Sequence, residues 1–239
     1  MLNEDNSTSR EDAPTWLDLY DYRRRVATLY NERERSLIGG EEEQGVLERF
    51  RAGRDALFAN HPQSALNAEQ RRVFVGLHYF PYNPNMRVQA TMKPLPPTEK
   101  AIEAADGPHT LTLKPAASVE FTIDDSAQRL TVYWIDVYGG GLFLPFRDMT
   151  CPEESYGGGR YLFDTVKGSN FLGVRENDEL FGIASSTAQG YVGGEIILDF
   201  NYAYNPSCAY DSRWVCPLAP VENRLKVRIE AGEKKFAED

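Results

Sequence analysis

Two hydrophobic periods divide this chain. Leu19, Tyr22, Val26 and Leu29 recur at helical spacing with charged residues between them. Pro14 suits the first turn of such a helix, and Gly39-Gly40 ends it. A second stripe, Val46, Phe50 and Leu57, predicts a helix from about Glu41 to Ala59, with acids at its start, where the helix dipole favours them. His61-Pro62 stops it. Together the two stripes predict a helical hairpin over residues 14–60, packed on the rest of the chain. Residues 1–13 carry no apolar face and read as a disordered, dispensable tail.

From Arg72 the period changes to two. Val73, Val75 and Leu77 alternate with Phe74, Gly76 and His78 as in a strand. FPYNPN (80–85) is a turn, and Arg87 to Met92 reads as the next strand. The proline-rich KPLPPTEK (93–100) and AADGP (104–108) are loops. Leu111-Leu113, Val119-Phe121-Ile123 and RLTVYWIDVYG (129–139) follow as strands, with Asp124-Asp125-Ser126 as a hairpin turn. Leu142 to Phe146, interrupted by Pro145, reads as a short peripheral strand. Many short strands punctuated by turns predict a mainly β body over residues 61–239, an antiparallel β-barrel or sandwich carrying the helical hairpin.

The last third concentrates the unusual residues. Ile196, Leu198, Phe200, Tyr202 and Tyr204 share one strand face; Asp199, Asn201 and Asn205 share the other. Such a polar row is unusual in a strand. It fits either a solvated outer face or the lining of a barrel interior or cleft. Asn205-Pro206 turns the chain, and CPLAP (216–220) forbids helix and central strand. Leu225, Val227 and Ile229 then alternate with Arg224, Lys226 and Arg228, a half-buried strand.

Several of these segments resemble a known family. FRAGRDALFANHPQSAL (50–66), GLHYFPYNP (76–84), LFLPFRD (142–148), YGGGRYLFDT (156–165), LDFNYAYNPSCAY (198–210), CPLAPVENRL (216–225) and AGEK (231–234) are similar, in order, to the family catalogued as domain of unknown function 1684. The resemblance spans roughly residues 45–234. It implies no established activity. It does imply that Arg160, Asp164, Asp199, Asn201, Tyr204, Asn205, Cys208, Cys216, Glu222, Asn223 and Arg224 sit in characteristic motifs, while Cys151 has no shared role.

Composition narrows the function classes. The 239 residues include 13 Tyr, 12 Phe and 3 Trp, enough for a sizeable core. The formal net charge of −10 argues against nonspecific binding of nucleic acid or an anionic membrane. An acidic, Lys-poor chain fits a salt-adapted source, and high-GC coding gives the same Arg bias. MLNEDNSTSRED has no basic n-region or apolar run, and no window is long enough to span a membrane. A cytoplasmic location with reduced thiols is expected. Oligomeric state is open.

Each candidate chemistry has a plainer alternative. Tyr156-Gly157-Gly158-Gly159-Arg160 could cradle a phosphate, but the chain continues as a strand and lacks the P-loop ending; a glycine turn with Arg160 paired to an acid is the plainer reading. Cys208 and Cys216 match no zinc spacing, and His61, His78 and His109 are isolated, so no metal and no cofactor is expected. The two thiols are expected close in space and reduced. Asp148, Asp164, Asp199 and Glu222 offer carboxylates for acid–base work or for pairing with Arg147, Arg160 and Arg224.

The sequence therefore favours a small polar ligand in an aromatic-lined β cavity. Its ligand-binding candidates are Arg160, Asp164, Asp199, Asn201, Tyr204, Asn205, Glu222, Asn223 and Arg224. Two alternatives stand beside it: a hydrolase-like enzyme using Asp199 or Glu222 with Arg160, and a structural or partner-binding protein without a pocket. Whether the chain is an enzyme is left open. Arg160 is expected to converge with Asp199 or Glu222 beside the polar row.

Overall fold

Thr15 starts the first helix. Its hydroxyl accepts the Asp18 N–H while the Asp18 carboxylate accepts the Thr15 N–H, so Pro14 precedes the cap instead of lying in the first turn. A computed structural model of the chain describes residues 14–96, 102–103, 111–165, 186–187, 190–191 and 194–236. The expected tail, residues 1–13, and His109 lie outside the described residues. Helices α1 (Trp16–Ile38) and α2 (Glu43–Asn60) pack together; a Cβ on Gly53 would lie 2.4 Å from the Leu29 side chain, so the backbones approach closely there. Val46, Phe50 and Leu57 are buried as their spacing predicts. The Phe50 ring joins hairpin to body, lying 4.9 Å from Tyr30 of α1 and 4.9 Å from Tyr202.

The expected strand at residues 73–77 does not form. Asn67 and Gln70 make a reciprocal cap that nucleates a third short helix, α3 (Ala68–Val73). Val73 at its end and Val75 beyond it are exposed, with no neighbouring strand to pair them among the described residues. Local capping outweighs a weak alternation here.

The body is an antiparallel sheet curled into a half-barrel. Its strands are β1 (Arg87–Pro94), β2 (Ile102–Glu103), β3 (Thr112–Ile123), β4 (Ser126–Ile135), β5 (Leu142–Phe146), β6 (Arg160–Asp164) and β9 (Gly194–Asp199), with β7 (Ser186–Thr187) and β8 (Gly190–Tyr191) forming a separate small ladder. The order is β6-β5-β4-β3-β1-β9, with β2 beside β3. Asp124 and Asp125 both take positive φ, 48° and 59°, which gives the β3–β4 hairpin the turn twist it needs. Ala90, Met92, Val119, Phe121, Leu130, Val132, Ile196 and Leu198 line the inner face. Curling brings the two ends of the sheet together at one bridge: Tyr161 of β6 and Tyr204, just past β9, exchange backbone hydrogen bonds of 2.8 and 3.0 Å.

β5 is not peripheral. It lies between β4 and β6, with Phe143, Leu144 and Phe146 fully buried. Pro145 is tolerated because the Asn223 side chain stands in for the missing ladder donor. Its Nδ2 donates to Pro145 O at 2.7 Å and Thr131 O at 2.8 Å, and its Oδ1 accepts Thr131 N–H at 2.8 Å.

The expected last strand is extended but, among the described residues, joins no ladder beyond short pairing with residues 147–149. Its burial still alternates: Leu225 and Ile229 enter the core while Arg224, Lys226 and Arg228 are exposed. It covers the open side of the half-barrel, and side chains serve its backbone. Arg160, fully buried, donates to the carbonyls of Ile229, Ala231 and Glu233 at 2.9, 2.5 and 3.1 Å. Asp148 accepts Ile229 N–H at 2.8 Å and Arg160 Nη2 at 3.0 Å.

Removing one member of that pair leaves a buried charge alone, which costs about 3–5 kcal/mol. Arg160→Gln is expected to lower unfolding stability by that order in urea, and to speed hydrogen exchange in residues 225–235. A wild-type midpoint and exchange pattern would show that the pair does not hold this segment.

Candidate functional site

The expected site residues fall in several places. The strand at 196 ends at Asp199, whose carboxylate caps a turn of 3-10 helix over Phe200–Tyr202 by accepting Asn201 N–H at 3.0 Å. Asp199, Asn201 and Asn205 therefore do not form one row. The expected convergence of Arg160 with Asp199 or Glu222 is absent as well. Arg160 spends its guanidinium on Asp148 and three carbonyls, because the turn before it aims it into the core. That turn needs glycine: Gly159 has φ of 92°, and a Cβ there would lie 2.5 Å from Phe146 O.

Each remaining candidate has its own surroundings. The Asn201 amide makes a two-bond ring with Asn83, accepting its N–H and donating to its C=O, both at 2.9 Å. Tyr204 stacks edge-on against Tyr161 and lies under Arg54, 5.2 Å from ring centre to guanidinium. Asp164 is buried at the end of β6. Asn223 spans β4 and β5, as described above. Glu222 and Arg224 are exposed, Glu222 beside Tyr133 and Arg224 bridged through its backbone to Arg147.

A buried network escaped the sequence reading. Glu233 accepts Arg54 Nη2 at 2.9 Å, Asn205 N–H at 3.2 Å and Asn205 Nδ2 at 3.1 Å, and also takes the Tyr210 hydroxyl. Burial pushes its carboxyl up, opposed by Arg54, Tyr210 and Asn205. The signal was present in the motifs AGEK and FRAGRDALF, but nothing local links residues 54 and 233.

A second cluster lies at the seam between the hairpin and the 199–202 turn. Arg33 lies 4.7 Å from the Tyr202 ring centre and 5.2 Å from that of Tyr30. Arg51 lies 4.4 Å over the Tyr79 ring. Arg87 reaches Glu43 at 3.4 Å and Asp199 at 3.8 Å, and the Tyr82 hydroxyl donates to Glu43 at 2.6 Å. Burial pushes the Asp199 carboxyl up despite Asn201, Arg33 and Arg87. The cations around Asp199 thus come from the helices and β1, not from Arg160.

Other chemistry is sparse. Cys151, Cys208 and Cys216 are free thiols, and both Cys208 and Cys216 bear on the Tyr156 hydroxyl, 3.6 Å from Cys208 Sγ. His61 accepts Gln63 N–H through Nδ1 at 3.1 Å and faces Asp21 with Nε2 at 3.3 Å, a satisfied buried histidine. Among the described residues no group of three metal-binding side chains gathers, and no helix is long and apolar enough to cross a membrane. A groove of about 770 Å³ opens between α1 and α2, with Leu29, Leu57 and Pro62 set among Asp21, Arg24 and Arg25.

Residues 72–234 match the family described as Protein of unknown function (DUF1684). No curated protein matches the chain. Among solved structures, the solution NMR structure of an uncharacterized protein from Haloarcula marismortui is similar at 31% identity with a TM-score of 0.53, covering 79% of this chain and 91% of that one.

Asp199 gives a test of the seam electrostatics. Its raised native pKa means that, between the ordinary aspartate value and the native one, the folded chain holds a proton the unfolded chain has lost. Stability then falls as pH rises through that window. Asp199→Asn keeps an acceptor for Asn201 and is expected to leave the melting temperature unchanged or raised at pH 7, and to flatten that slope. A marked loss of stability at pH 7 would show that the Arg87 and Arg33 attractions outweigh the burial of the charge.

Proposed function

We propose, for a chain that belongs to the DUF1684 family of proteins of unknown function, that it binds a small polar molecule at the seam between the helical hairpin and the 199–202 turn. One observation carries the reading. Arg33 Nε, Glu34 Oε1, Arg51 Nε and Nη2, and the Tyr202 hydroxyl are buried with no hydrogen-bond partner among the described residues. Arg33 and Arg51 both act on Tyr202, so these atoms belong to one neighbourhood. An unpaired buried polar group costs about 1–3 kcal/mol, and several together call for water or a ligand to pair them. Tyr30, Tyr79 and Tyr202 supply the aromatic walls, and the site lies outside the half-barrel, not in a cavity within it.

A second reading applies to the motif residues inside the body. Asn201 and Asn223 bond to backbone groups within the protein, and Arg160 does so through both terminal nitrogens, leaving Nε without a partner among the described residues, which favours a structural role for those positions. A bound molecule at the seam is compatible with that role.

Native mass spectrometry of freshly purified protein tests the proposal. We expect a stoichiometric adduct that is released on denaturation and is depleted in Tyr202→Phe. That substitution removes an unpaired hydroxyl, so its melting temperature is expected to equal or exceed the wild-type value without ligand. An adduct-free wild type, or an adduct that Tyr202→Phe keeps in full, ends the reading.

A further inference from the structure

The geometry points to a carboxylate or phosphate oxyanion as the recognised group, held in the fork between Nε and Nη2 of Arg51; this rests on the seam reading. A guanidinium is planar, and its Nε–H and one Nη2–H point the same way along one edge. That edge matches two oxygens of a carboxylate or phosphate with two parallel hydrogen bonds. In Arg51 both nitrogens are buried and neither has a partner among the described residues.

Neighbouring arginines differ. Arg33 donates to Glu34, Arg49 to Glu41, Arg54 to Glu233, and Arg87 faces Glu43 and Asp199. Each spends its charge on a carboxylate of this chain. Arg51 feels Glu48 and Asp199 only at longer range, and burial pulls its pKa down. Its guanidinium carbon lies 4.4 Å over the Tyr79 ring, a cation–π contact that uses none of its N–H donors. Arg33 Nε and the Tyr202 hydroxyl, also without partners, are further donors in the same neighbourhood. Asp199 is engaged on its own side by Asn201 and Arg87.

A neutral carbonyl oxygen can accept both fork hydrogens but leaves the buried guanidinium charge without a counter-charge. A second cation would be repelled. An oxyanion satisfies both hydrogens and the charge together, which is why this class is favoured over other polar groups.

Arginine Nε–H nuclear magnetic resonance on the full chain provides the test, with the Arg51 signal assigned by its absence in Arg51→Lys. Sodium acetate and, separately, inorganic phosphate are titrated against chloride at constant ionic strength. We expect the Arg51 signal to move saturably with at least one anion, and the anion that saturates at the lower concentration identifies the source of the oxyanion. Arg51→Lys keeps the charge but loses the planar fork. Its affinity, read by melting-temperature shift with the same anion, is expected to drop about tenfold or more while its melting temperature in chloride stays near wild type. Linear drift without saturation for both anions would mean an adventitious ion only and overturn the inference. So would a neutral adduct in native mass spectrometry that Arg51→Lys keeps; if Tyr202→Phe loses that adduct, the seam still binds a ligand and only the oxyanion assignment fails.

Discussion

The Arg160–Asp148 pair is the contact on which the closed side of the body depends. Both side chains are wholly buried, at 3.0 Å. A half-barrel leaves an open side, and here an irregular segment covers it without a ladder of its own. Its backbone groups still need partners once water is excluded. Arg160 serves three carbonyls in the stretch 229–233, and Asp148 serves one N–H. The ion pair is thus also a hydrogen-bonding edge, a substitute for the strand that is missing. Desolvating two charges is costly, and these extra bonds offset much of that cost.

Side-chain amides repeat the device on a smaller scale. Asn223 presents a donor and an acceptor to Thr131 as a neighbouring peptide would, and so a proline can sit inside the sheet. Asn201 does the same for Asn83, docking the 83–85 turn against the end of β9. Asn205 ties the closing bridge at Tyr204 to Glu233, and Glu233 in turn holds Arg54 of α2. A chain of polar contacts therefore runs from the C-terminal segment through the closure point to the helical hairpin. Asparagine is suited to this work because its amide has the same donor–acceptor geometry as the backbone.

The seam is built differently. Within the body, buried charges and amides make several bonds to the protein and leave only single atoms without a partner among the described residues, such as Arg160 Nε, Arg54 Nε and Asn205 Oδ1. At the seam, Arg33 and Arg51 keep edges with none among the described residues, and Asp199 is buried at a cost to its ionised form. Polar groups that are buried and left short of partners cost stability, since each forgoes the hydrogen bonds it makes with water in the unfolded chain.

Much of the architecture was readable along the chain, because it rests on local rules. Helical spacing gave α2 its buried stripe at Val46, Phe50 and Leu57, and alternation gave the buried faces of β3, β4 and the 224–230 segment. Two adjacent aspartates marked a hairpin turn, and the glycines before Arg160 marked another. The motif residues were recognisable too, but their partners were not. Arg54 and Glu233 stand 179 residues apart, and Asn223 reaches back 92 residues to Thr131. Alternation at 73–77 misled because it registers side-chain direction only, not whether a neighbouring strand exists. The polar row at 199–205 misled because a capping aspartate ended the strand there, turning Asn201 and Asn205 to separate partners. Periodicity and turn chemistry are properties of neighbours in the chain, so the sequence by itself determined the two long helices, most of the strands and their buried faces. Which charge meets which is set by how the sheet curls and where the last segment crosses it, so only the tertiary structure decided that Arg160 belongs to the core and Arg51 to the seam.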